Sequence, residues 1–191
     1  MTRLALAVLL AASCTPSATD PPATDPAAAQ APTASGLAER FVRFVVRDYN
    51  WEIDGYDVLI VSADGKASYV GAVPVFVEHD GQRLATPVWH RVEWQADAAS
   101  VEALVRHLER ARFLHLEDRY VDPTVHDGEN VEYVVETKDG VKRVTFQNRS
   151  PAEVAELRAF VMRELVAPRR INLQAGTRLS DDEAKQAWEG L

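Results

Sequence analysis

The sequence predicts an α+β domain, an antiparallel sheet built from hairpins with two amphipathic helices packed on one face. Three observations carry this expectation. Asp-Gly pairs at 64–65, 80–81 and 139–140 separate runs rich in β-branched and aromatic residues, the local pattern of hairpins. Two later segments place apolar residues at helical spacing. The order of elements is strands, helix, hairpin, helix, which fits helices segregated to one side of an antiparallel sheet.

Residues 41–47 form the first expected strand and 56–62 the second. A third covers about 66–72, and 73–78 continues extended past Pro74. Proline has no N–H for a ladder, so Pro74 implies an edge or a bulge. Residues 88–94 alternate as a strand. Trp89 and Trp94 are five apart, so on a regular strand they face opposite sides and at most one is core unless a bulge intervenes. Asp97 is the expected N-cap of a helix over 98–112. Val101, Leu104, Val105, Leu108 and Ala111 make its apolar face, and Phe113, Leu114 and Leu116 lead irregularly into the core. Residues 131–137 and 141–147 read as a hairpin around Lys138-Asp139-Gly140. Ser150, Pro151 and Glu153 have the spacing of a capping box. Val154, Leu157, Phe160, Val161 and Leu165 supply the face of that second helix. After Pro168 the pattern weakens. Ser180 and Glu183 mark the start of a short helix over 180–189, docked by Trp188.

The single cysteine speaks to location. Cys14 follows a basic residue, Arg3, and an apolar run from Leu4 to Ala12, ending in Ala11-Ala12-Ser13. This is the pattern of a bacterial lipoprotein signal peptide, cut before a cysteine that then carries lipid. The run falls short of the roughly 20 apolar residues that a spanning helix needs. The competing reading is an ordinary secretory signal with an incidental thiol. Two or more acyl chains hold a protein stably on a membrane, so the expected partner is the membrane itself, through Cys14. Thr15 stands where Asp would signal inner-membrane retention, which favours the outer membrane in a Gram-negative cell. Residues 15–36 are dominated by Pro, Ala, Thr and Ser and lack large apolar side chains, the composition of a disordered tether. At about 3.1 Å per residue its extended reach is roughly 65–70 Å. The expected organisation is therefore a signal peptide (1–13), lipidated cysteine and tether (14–36), an α+β domain (37–168) and a C-terminal extension (169–191).

Cleavage would leave 20 basic against 29 acidic residues, a net charge of −9. Such an acidic surface is a poor match for nucleic acid. With Cys14 lipidated, no thiol remains for disulfides, thiol catalysis or cysteine metal sites. There is no Gly-x-Ser-x-Gly elbow, phosphate loop or dinucleotide fingerprint, and no cofactor is expected.

Several short motifs carry a resemblance. Tyr56 to Ile60, Asp64-Gly65, Tyr69-Val70-Gly71, Phe113 with Leu116, Tyr120 and Asp127 fall in the order found in a family of bacterial envelope domains of unknown function, often lipoproteins. Residues 40–166 resemble that family in outline. The resemblance implies a fold and an address in the cell envelope, and no activity. The family usually carries a Cys-x-Gly-x-Cys-Pro loop; residues 48–55 here contain neither cysteine.

The candidate chemistry is sparse. His126, Asp127 and Glu129, with Asp122 upstream, could hold a divalent metal or act as acid and base. The Asp-Gly there is equally an ordinary turn. His79-Asp80-Gly81 repeats the pattern, and convergence of the two loops would supply two imidazoles. His107 and His115 are expected to point to solvent. Trp51, in a polar loop near Tyr49 and Tyr56, is the candidate anchor for a partner, because tryptophan is enriched at binding hot spots. The leading expectation is a non-enzymatic, lipid-anchored envelope module that binds a protein, glycan or other envelope component. The alternatives are a metal-assisted periplasmic hydrolase using His126, Asp127, Glu129 and His79, and a purely structural lipoprotein.

Overall fold

A computed structural model describes residues 35–50, 55–125 and 128–190. Cys14, residues 15–34 of the expected tether, Trp51, His126 and Asp127 lie outside the described residues; the last two tether residues, Ser35 and Gly36, instead open a short helix. The strands are β1 (Phe41–Asn50), β2 (Gly55–Ser62), β3 (Lys66–His79), β4 (Gln82–Gln95), β5 (Arg119–Val121), β6 (Asn130–Thr137), β7 (Gly140–Gln147) and β8 (Thr177–Arg178). They form one sheet in the order β5-β7-β6-β1-β2-β3-β4-β8. Every pairing is antiparallel except β5 with β7. The helices are α1 (Ser35–Ala38), α2 (Ala98–Arg110), α3 (Ala155–Phe160), α4 (Ala167–Ile171) and α5 (Asp181–Glu189). The fold is the α+β architecture that the sequence predicts.

Strand alternation divides the apolar residues between two faces. One face presents Phe44, Val46, Leu59, Val61, Tyr69, Tyr133, Val135, Val144 and Phe146. Leu104, Val105 and Leu108 of α2 and Leu157 and Phe160 of α3 close over it. Asp97 caps α2 as expected, accepting from the Ser100 N–H at 2.6 Å. The expected cap on the next helix does not form. Ser150 accepts a hydrogen bond from Arg158 instead, and the segment begins as a 3₁₀ turn at Ala152–Val154 before α3. α3 continues through a π-helical stretch, Val161–Val166, into α4. Helical structure thus runs through Pro168. Its ring has no N–H to return to the preceding turn, and in that turn the Arg169 guanidinium donates to the Glu164 carbonyl at 2.9 Å.

The opposite face holds a smaller core of Val45, Val58, Val70, Trp89 and Val134. It is covered by residues from 169–191, with Leu179 and Ala184 buried and Trp188 packed alongside. Ser180 and Glu183 form the expected capping box of α5. Residues 169–191 are thus built into the domain, since Leu173 is also buried in the larger core. Trp89 and Trp94 do face opposite sides. Both faces carry a core, so both pack: Trp89 is buried under α5, and Trp94 is half-buried on the helix side under the Arg169 guanidinium, 4.3 Å from its ring centroid.

β3 and β4 outrun the sheet. β2 pairs with β3 between Val58↔Val70 and Val61↔Ala67, whereas β3 and β4 stay paired out to His79↔Gln82. The distal half is a two-stranded arm exposing Val75, Phe76, Val77 and Leu84. Asp80 and Gly81 at its tip have φ of 51° and 74°, the type I′ turn whose twist suits a two-residue hairpin. Hydrogen-bonded and non-bonded pairs alternate outward from such a turn, so Pro74↔Pro87 is a non-bonded pair. Each missing N–H there faces away from the partner strand. Pro74 therefore sits in regular strand where the arm has no outer neighbour. Asp64-Gly65 turns differently: only Gly65 has positive φ, 83°, in a three-residue connection between β2 and β3.

Candidate functional site

β1 and β2 pair to their ends, Asn50↔Gly55, so Asp48 belongs to a strand. Asp48 lies directly opposite Asp57, where cross-strand Cβ atoms are about 4.5–5.5 Å apart. Both share the helix-covered face with Val46 and Leu59. Asp57 accepts from the Tyr69 hydroxyl at 2.8 Å and lies 3.8 Å from the Arg170 guanidinium. Burial raises the Asp57 carboxyl all the same. Burial also pushes Asp48 up to about 6, helped by the charges of Asp57 and Glu129 and opposed by Arg170 and Arg158. The phenols of Tyr69 and Tyr133 are driven well above their ordinary value, first by burial. This is an enclosed acidic couple at one end of the core, with its charge offset by two arginines.

Glu129 pairs with Arg158, so its carboxylate is engaged in bracing α3. His79 is exposed at the tip of the arm, its Nε2 3.5 Å from Asp80. Six residues of strand past Val73 carry it about 20 Å beyond the sheet end where Glu129 sits. His79 and Glu129 are therefore not brought together. Among the described residues, no group of three or more His, Cys, Asp or Glu is placed to hold a metal. His107 is half-buried, contrary to expectation. It stacks on Phe160 at 4.7 Å, bridging α2 to α3, and burial lowers its pKa. His115 is exposed, as the sequence indicates.

The most site-like surface lies on the other face. An open groove of about 640 Å³ runs beside the end of α5, over β1, β6 and β7. Its aromatic side is formed by Tyr56 and Trp188. They belong to a chain of rings: Tyr49 to Tyr56 at 5.0 Å, Tyr56 to Trp188 at 6.2 Å, and Trp188 edge-on to Trp89 at 4.8 Å. Gly55 makes room for the two indoles, since a Cβ there would meet Trp89 at 2.6 Å and Trp188 at 3.1 Å. The polar floor is a fixed ion network. Glu132 Oε2 accepts from Arg47 Nη1 at 2.8 Å and from Arg143 Nη1 at 2.9 Å. Asn130, Thr145 and Glu189 complete the lining. Tyr49 and Tyr56 are the neighbours that singled out Trp51. Sequence reasoning missed Arg47, Glu132 and Arg143 because their meeting depends on strand order, although β-alternation already placed each opposite a core residue.

No family model matches the chain, and neither does any curated protein. No helix among the described residues is long and apolar enough to cross a membrane.

Proposed function

We propose that the chain is a lipid-anchored cell-envelope protein, held through Cys14 on the tether 15–36, whose domain is a non-enzymatic binding module. Its recognition surface is the groove beside α5. One observation carries this reading: α5 covers only part of the second sheet face and leaves half-buried rings beside an ordered ion network. Such a mixture of aromatic and convergent polar groups is typical of ligand sites. The likeness of residues 40–166 to envelope domains supports the address. Thr15 after the cysteine favours the outer membrane in a Gram-negative cell.

The test is site-specific photo-crosslinking in intact cells. A photoreactive residue at position 143 in the groove should trap an envelope component, and one at Met162, exposed on the helix side, should not. Cys14→Ala should release the protein from membranes and weaken trapping. Equal trapping from both positions, or none from 143, overturns the groove assignment. Membrane retention of Cys14→Ala overturns the anchor.

A further inference from the structure

The groove's chemistry narrows what it binds, granted the binding-module reading above. Three properties coincide. First, the rings of Tyr56 and Trp188 are half-buried at its side, next to hydrogen-bonding groups fixed at 2.8 and 2.9 Å in the Arg47–Glu132–Arg143 network. A ligand for this surface needs an apolar face for the rings and hydroxyl or amide groups at its edge. Second, the charges cancel among the described lining residues. Arg47 and Arg143 are matched by Glu132 and Glu189 in the lining, and the mature chain is acidic, so an anionic polymer gains nothing there. Both guanidiniums donate to Oε2, and among the described residues Oε1 of Glu132 accepts no bond, leaving an acceptor for a ligand hydroxyl. Third, the groove lies on a sheet face. Of the strands that floor it, β1 and β6 are paired on both sides, and β7 meets β5 over Thr145–Gln147, which leaves the edge of 140–144 at the rim; an extended peptide laid in the groove crosses a sheet face and joins no strand there.

We infer that the groove is a carbohydrate site for a short stretch of uncharged glycan. A sugar ring presents C–H groups on one face and hydroxyls around its rim, which matches rings flanked by a rigid donor and acceptor set. The volume is that of a site for a ligand of two or three rings.

The experiment is calorimetric and saturation-transfer titration of the full mature chain with uncharged trimers of glucose and of N-acetylglucosamine. At least one should bind with Kd of about 1 mM or tighter. Trp188→Ala should weaken it about tenfold or more. Trp188 also packs on Trp89, so its loss loosens α5. Arg143→Ala, at a side chain 47% exposed on the rim, tests the same surface outside the core and should weaken binding several-fold. Binding unchanged in both variants, or no binding of either trimer at about 10 mM, overturns the inference. A protein adduct from position 143 in cells, with no trimer binding, overturns the glycan and leaves the binding module standing. No adduct and no trimer binding overturns both.

Discussion

Both faces of the sheet arise from the same strands and the same alternation of side chains, yet they end differently. On the helix side, α2 and the run from α3 to α4 lie over β1, β2, β6 and β7, and even the Asp48–Asp57 couple is enclosed. On the other side the cover is α5, nine residues long, or about 13 Å. Eight strands at about 4.8 Å spacing span roughly 34 Å. One short helix leaves much of that width bare, and the bare part carries ion pairs and tyrosines. What separates closed core from open surface is the length of the covering element.

This contrast can be broken or sharpened by substitution. The largest effect is expected on the closed face. Phe44→Ala, at a fully buried ring edge-on to Tyr133 at 5.4 Å, should cost about 3–5 kcal/mol in denaturant unfolding. A cost below about 1 kcal/mol would mean that the helix-side core is not closed. Trp188→Ala should cost less, about 1–2 kcal/mol, because that ring is only partly buried. A loss as large as that of Phe44→Ala would make the second face an equal core. Asp48→Asn probes the enclosed couple. A carboxyl raised to about 6 in the fold favours the protonated state. Its stabilisation is present below the ordinary value near 4 and is lost as pH rises through 6. The Asn variant should therefore be more stable than wild type at pH 7–8, by on the order of 1–2 kcal/mol after screening. The gap should close toward pH 4. Thermal melts across pH decide this, and parallel curves for the two proteins would refute an enclosed, destabilised carboxylate. The smallest effect is expected on the arm. Phe76→Ser, 53% exposed, should shift stability by less than about 0.5 kcal/mol, and a larger loss would show that the arm is packed.

Much of the closed face was legible in residue spacing. Leu104, Val105, Leu108, Leu157, Phe160 and Val161 announce themselves at helical intervals, and Asp97 and Ser180 cap where local chemistry says they should. Ser150 had the same local signature and failed, because Arg158, eight residues on, takes its hydroxyl. The opposite parity of Trp89 and Trp94 was readable, but a second core to receive one of them was not, since that core depends on where 169–191 returns. The Asp48–Asp57 couple was hidden for a related reason. Polar residues after Arg47 look like a loop, and only the β1–β2 register shows them to be strand. For the groove, Tyr49 and Tyr56 drew notice as neighbours of Trp51. Trp188 was expected only to dock its own helix, and it meets them through a contact spanning more than 130 residues of chain, which no local pattern encodes.

The proline pair in the arm has a consequence for life in a crowded compartment. A long, flat, apolar hairpin standing clear of its sheet is a template on which other chains can add strands, the first step toward ordered aggregates. Pro74 and Pro87 remove one outward donor from each side of the hairpin at the same level, so a strand arriving at either edge meets a gap in the ladder. The arm can keep Val75, Phe76 and Val77 in solvent because its edges, and not its faces, have been made unfit for polymer growth.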